Sequence, residues 1–164
     1  MSASPYQIMD SAAVIDGLHA ALDHLDIAAF QIEEAPHLGI VVRLDAIDVL
    51  VVMDALRQSD LLKIEQLIDL FGADIREQIE VTYRLRSMTN NFDLMLKCEL
   101  PYGGDYHSVG ESFASAWLPE RELCEMFGLV LHDHPNPKRL LTTDVMPPFL
   151  RKEVRIRSKE EIWG

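Results

Sequence analysis

Residues 78–100 read QIEVTYRLRSMTNNFDLMLKCEL, two runs of strict alternation separated by a polar turn. In the first run Ile79, Val81, Tyr83 and Leu85 share one side, while Glu80, Thr82, Arg84 and Arg86 share the other. The second run repeats the pattern with Phe92, Leu94, Leu96, Cys98 and Leu100 on its apolar side. A period of two is the mark of a strand with one face on a core and one in water. Thr89-Asn90-Asn91 supplies turn chemistry between the runs, and Pro101-Tyr102-Gly103-Gly104 closes the second. The stretch therefore predicts an antiparallel hairpin.

Upstream, Ile8, Met9, Ala12, Ile15, Leu18, Ala21, Leu22 and Leu25 recur at helical spacing and predict a one-sided helix from Ile8 to Leu25. The runs IAAFQIE and GIVVRL, with Pro36 between them, predict a second hairpin. Asp45 is placed to cap a helix from Ala46 to Arg57, apolar enough to pack over much of its surface. The residues from there to about Gly72 read as a link. Short connections imply antiparallel pairing. The expected architecture is α+β, a four-stranded, mainly antiparallel sheet covered on one face by helices, with an extended C-terminal tail.

The chain has 164 residues and a net charge of -12, which disfavours binding to nucleic acid, whose affinity for proteins comes mainly from Lys and Arg. No apolar run approaches the about 18 residues needed to span a bilayer; Ala46 to Leu56 is interrupted by Asp48 and Asp54. MSASPYQIMD has no basic region before an apolar stretch, so no secretory leader is expected. Cys98 and Cys124 are too few for a disulfide framework. Charge is uneven: residues 1–137 hold 8 basic and 23 acidic residues, residues 138–164 hold 7 and 4. The expectation is a core domain over 1–137 and a basic extended tail over 138–164, interrupted by Met146-Pro147-Pro148.

Pro119 to Leu141, PERELCEMFGLVLHDHPNPKRLL, is the least ordinary segment. Pro119 suits the first position of a helix, Glu120 and Glu122 its positive end, and Gly128 its left-handed stop. Arg121 and Glu125, four apart, are placed to pair across a turn. Local stability does not account for the residues beyond Gly128, where His132, His134, Pro135, Pro137, Lys138 and Arg139 stand without a period. Prolines preset an extended path that costs less to order against a partner.

Glu120-Arg121-Glu122, Phe127-Gly128, His134-Pro135, Arg139 followed by Leu140-Leu141, and Leu150-Arg151-Lys152 stand in that order between Trp117 and Glu153. This order resembles the signature of the C-subunit family of respiratory complex I (NADH:quinone oxidoreductase), which includes the corresponding subunit of energy-converting membrane-bound [NiFe] hydrogenases. Cys124-Glu125 stands where complex I members usually have Tyr-Asp, and Asp133 where a glycine precedes His-Pro. Pro137-Lys138 replaces Leu-Arg, Trp117 lies one residue earlier than the family tryptophan, and the Trp and Gly usually found before Leu-Arg-Lys are missing. These departures and the short chain shift the expectation toward the hydrogenase branch, with complex I proper as the alternative.

The resemblance implies a non-catalytic structural subunit of a peripheral arm on the cytoplasmic side of a membrane, without a cofactor of its own. It would dock on a large catalytic subunit, beside partners carrying iron-sulfur clusters and either a [NiFe] centre or a quinone site. The residues expected at or just behind that contact are Glu120, Arg121, Glu122, Phe127, His134, Pro135, Arg139, Arg151 and Lys152.

Other chemistry is weakly signalled. His132-x-His134 with Cys124 and Cys98 fits no usual zinc spacing, and Cys98 falls on an apolar strand face. Cys124 beside Leu123 reads as a core residue before it reads as a nucleophile. Glu120 and Glu122, two apart on a helix, point about 200° from one another and cannot flank one substrate; their expected work is pairing with Arg121, Arg139 or a partner's arginine. No Gly-x-Gly-x-x-Gly, Walker loop or Gly-x-Ser-x-Gly is present. A soluble acidic adaptor and a small Cys/His enzyme remain as readings from other classes.

Overall fold

A computed structural model describes residues 9–36, 39–143 and 146–154. Helix α1 spans Ser11–Leu22, and Asp10 caps it by accepting the Ala13 N–H at 2.8 Å. The cap starts the helix later than the apolar periodicity suggested, and Ile8, the first residue of the expected helix, lies outside the described residues. Strands β1 (Phe30–Ala35) and β2 (Gly39–Leu44) form the expected antiparallel pair, with β1 displaced toward its C-terminal end. Ala46–Asp48 is a 3-10 turn and α2 follows over Val49–Gln58; Asp45 makes no side-chain cap.

Strand β3 (Gln66–Asp74) falls on the segment read as a link. A register shift between Leu67 and Asp69 breaks its period, so that Leu67 and Leu70 face inward while Ile68 and Phe71 are exposed. A bulge of this kind disguises a strand because its buried residues fall three apart. Strands β4 (Gln78–Ser87) and β5 (Phe92–Pro101) are the hairpin of the alternating runs, paired antiparallel from Gln78–Pro101 to Ser87–Phe92.

Among the described residues the main sheet has five strands, not four, in the order β1-β2-β5-β4-β3. Its central pair, β2 with β5, is parallel. The sheet is otherwise antiparallel, as expected of a mainly antiparallel sheet; β2 and β5 are not consecutive, so no short loop dictates their direction. Leu70, Tyr83, Leu96 and Val42 line one row of the covered face, and Gly72, Val81 and Cys98 another. The helices lie on this face, α1 towards β2 with α2 beside it, the turn Ala46–Asp48 against β5, and the later helix Trp117–Phe127 over β3. Each fully buried side chain of that layer, such as Leu18, Met53 or Leu85, contributes about 1.5–3 kcal/mol of transfer free energy.

A second, two-stranded parallel sheet joins β6 (Asp105–His107) to β7 (Val130–His132). Helix α3, Trp117–Phe127, is the crossover between them. It begins two residues before Pro119, which occupies the third position of the first turn, where no intrahelical N–H bond is lost. Gly128 adopts φ 69° and donates its N–H to the Cys124 carbonyl, ending the helix in the left-handed form expected of it. The described part of the expected extended tail is instead a series of turns, with Met146 N–H on the Thr143 carbonyl and Val154 N–H on that of Arg151.

Candidate functional site

Helix α3 and the residues after it form a framework in which Glu120 and Glu125 are buried while several apolar side chains beyond Gly128 are exposed. Glu120 is 0% exposed. Its carboxylate accepts the Ser108 hydroxyl at 2.6 Å, the Val109 N–H at 2.7 Å and the Tyr106 hydroxyl at 3.3 Å. Burial raises its pKa despite these donors. His134 Nε2 lies 4.0 Å from Glu120 and donates to the Trp117 carbonyl at 2.9 Å, while the ring's Nδ1 accepts the Asn136 N–H. Those two contacts place the ring proton on Nε2. Glu120 thus fastens α3 to the end of β6 and lies against the loop that carries His134.

The expected pairing of Arg121 with Glu125 is not made. Arg121 reaches across to the carbonyls of Lys138 and Arg139, at 2.7 and 3.0 Å. Glu125 accepts the backbone N–H groups of Leu140, Leu141 and Thr142. Burial works to raise its pKa, but the Thr142 hydroxyl and these three N–H groups outweigh it and hold the carboxyl at about 2. A tertiary partner with several donors displaces a weak pairing along one helix face.

The remaining arginines complete the framework. Arg139 donates to Thr142 Oγ1 and to the carbonyls of Thr143 and Met146. Arg151 donates to the carbonyls of Phe127 and Gly128, the unpaired end of α3, and stacks 4.5 Å over the Tyr102 ring. The Tyr102 hydroxyl, the Lys152 N–H and the Arg76 N–H all donate to the Asp74 carboxylate. Its pKa is lowered, first by the Tyr102 hydrogen bond. The side chains displayed over this frame are apolar: Leu140, Leu141, Met146, Phe149 and Leu150 are all exposed, as are Trp117, Leu118 and Val130.

Of the residues expected at a contact, the structure brings together Glu120 with His134, Arg121 with Arg139, and Phe127 with Arg151. Phe127 is buried; Glu122, Pro135 and Lys152 are exposed and stand apart from those pairs. Glu120 pairs with neither Arg121 nor Arg139 among the described residues. Glu125, Asp74 and Tyr102 were missed as parts of the framework. No local pattern marks Asp74, whose partner Lys152 lies 78 positions away.

His132 does not join His134: it bonds Asp105 at 2.7 Å and stacks on His107, which bonds Asp133 at 2.6 Å. Among the described residues, no three His, Cys, Asp or Glu side chains are grouped to hold a metal ion. Cys98 and Cys124 are both buried, and burial raises both thiols, Cys98 to about 12. No described helix is long and apolar enough to cross a membrane.

Residues 42–160 match the model of the family described as respiratory-chain NADH dehydrogenase, 30 Kd subunit. The chain belongs to this family. Among curated relatives it is 38% identical over 72 residues to the NADH-quinone oxidoreductase C subunit of Francisella philomiragia, covering 43% of this chain and 34% of that protein. It is 33% identical over 94 residues to the C subunit of Rhodospirillum rubrum, covering 56% and 44%. It is also 36% identical over 110 residues to the C/D subunit of Shewanella woodyi, covering 57% of this chain and 18% of that one. The chain spans less than half the length of these relatives. Its fold is similar to a chain of the archaeal membrane-bound sulfane sulfur reductase, a respiratory membrane complex, with a TM-score of 0.64 and 13% identity over 75% of this chain and 71% of the other. The framework from α3 to Val154 lies within the matched span.

Proposed function

We propose that this member of the 30 Kd subunit family is a non-catalytic structural subunit of the peripheral arm of a membrane-bound redox complex. It sits on the cytoplasmic side and docks on the catalytic large subunit through the segment after α3. The observation that carries the reading is the inverted polarity of that segment. Glu125, Arg139 and Arg151 spend their charges on the chain's own backbone, while Leu140, Leu141, Met146, Phe149 and Leu150 face outward. A loop evolved only for solvent gains nothing from that arrangement; a surface that another polypeptide covers does. Residues from 138 onward act as the docking element and residues 1–137 as the core that carries it. The partners supply iron-sulfur clusters and the large subunit's [NiFe] or quinone site.

The finer assignment is to an energy-converting [NiFe] hydrogenase, supported by Cys124-Glu125, Asp133 and Pro137-Lys138 at the family motif. The curated relatives, named as C subunits of NADH-quinone oxidoreductase, favour complex I proper as a second reading. The experiment is purification of the tagged chain from solubilised membranes of its host, with Leu141→Asp/Phe149→Asp as the variant. Both residues are exposed, so the isolated variant keeps its thermal stability while the large subunit is lost from the eluate. Undiminished co-purification of that subunit refutes the docking role. Nickel in the wild-type eluate supports the hydrogenase; quinone reduction without nickel supports the alternative.

A further inference from the structure

A second unpartnered surface lies at the α1–α2 end of the molecule. Helix α2 meets the core with Val49, Val52, Met53 and Leu56. A second apolar stripe follows at four-residue spacing, with Ile47 in the 3-10 turn just before the helix and Val51 and Ala55 on the helix itself. Ile47 is 85% exposed, Val51 48%, and Leu61 just beyond the helix 52%. Ala55 is partly buried against the core, whereas Ile47 and Val51 are left outside it. Val51, Ala55 and Leu61 line a groove of about 500 Å³ whose other wall is Ala20 and Ala21 at the C-terminal end of α1 and Leu25 just beyond it.

The floor is small and aliphatic, which lets another backbone come close. Asp54 and Asp60 stand on the rim with His24. Asp60 makes no ion pair among the described residues, and Asp54 accepts only the Ser112 hydroxyl. The surroundings share this sign. Residues 1–63 hold ten carboxylates and, as cations, Arg43, Arg57 and Lys63. Arg43 is paired with Glu33 and Glu80, and Arg57 lies over the Phe113 ring. An apolar trough with unneutralised carboxylates on its rim is complementary to a helix with one aliphatic face flanked by Lys or Arg.

We propose that the α1–α2 groove is a second docking surface, which receives a basic amphipathic helix from a partner chain. The proposal rests on the reading that the protein works inside an assembly, but it uses a surface distinct from the segment after α3. A single-helix ligand tests the chemistry directly. The full chain is titrated with a labelled 18-residue Leu/Lys amphipathic helix and with its Leu/Glu counterpart, followed by fluorescence anisotropy. The Leu/Lys helix binds and the Leu/Glu helix does not. Val51→Asp/Leu61→Asp, two exposed sites that leave the melting temperature unchanged, weakens binding at least about tenfold, because the buried aliphatic contacts are lost. The variant is more acidic than the wild type, so equal or tighter binding reveals a purely electrostatic attraction and overturns the proposal.

The assembled complex supplies the second arm. A photo-crosslinking residue in place of Val51, in the chain expressed in its host, yields an adduct with a Lys- or Arg-bearing amphipathic segment of a co-purifying subunit. Adducts only with residues 155–164 of the same chain, only with acidic or irregular segments, or with nothing, overturn it. The same residue in place of Leu141 reports on the surface after α3. Failure at position 51 with success at 141 removes the groove alone; failure at 141 removes the docking reading itself.

Discussion

Replacing Glu125 with Gln removes the charge that holds three consecutive backbone N–H groups, those of Leu140, Leu141 and Thr142. Hydrogen bonds to an ionised acceptor contribute roughly 1.5–3 kcal/mol each, against 0.5–1.5 for neutral ones. The amide oxygen of Gln accepts one or two of these donors and leaves the rest to water. The framework is therefore weakened by about 2–4 kcal/mol, after allowance for solvent near the loop. The loss is local, since residues 140–142 contribute no side chain to the buried core. The melting temperature of the domain changes little, while amide hydrogen exchange at Leu140, Leu141 and Thr142 accelerates roughly 30- to 700-fold. Exchange measured by mass spectrometry or NMR on the isolated chain reads this directly. Protection at those three amides equal to that of the wild type would refute the view that Glu125 organises the displayed leucines.

The same carboxylate gives a pH dependence. Its folded value of about 2 lies below the ordinary 4.5, so its grip is fully present above about pH 4.5 and is lost as pH falls through 2. Exchange at residues 140–142 should therefore rise across that window before the sheet unfolds; a loop that opens only together with the sheet contradicts the assignment. Glu120→Ala strands the Val109 N–H and the Ser108 and Tyr106 hydroxyls in a buried site and is expected to cost about 3–5 kcal/mol, a fall in melting temperature on the order of 10 °C. Glu120→Gln, which keeps an acceptor of the same shape, should cost less. Calorimetry showing the two variants equal to the wild type would remove Glu120 from its central position.

Some of this molecule is written in short windows of its sequence. The hairpin of β4 and β5 is legible because alternation over ten residues on either side of Asn90-Asn91 admits one register that buries Ile79, Val81, Tyr83 and Leu85 together. The stop at Gly128 is legible because a residue without Cβ enters the left-handed region at little cost. The order of the Glu-Arg-Glu, His-Pro and Leu-Arg-Lys motifs points to the family, and the match over residues 42–160 agrees.

Other features exist only once distant segments meet. The bulge near Ile68 hides β3 from any periodicity, and the parallel pairing of β2 with β5 depends on which strands arrive beside each other. Arg121 and Glu125 sit at ideal spacing for a pair, yet each takes backbone partners 15 to 18 positions away. The sequence by itself determined the hairpins, the helix stop and the family. The tertiary structure alone decided which charges turn inward to hold the loop and which aliphatic side chains are left outside. The physical reason is range: a period reports what neighbours on one element share, whereas the partner of a buried charge is chosen among all groups that the fold brings within hydrogen-bonding distance.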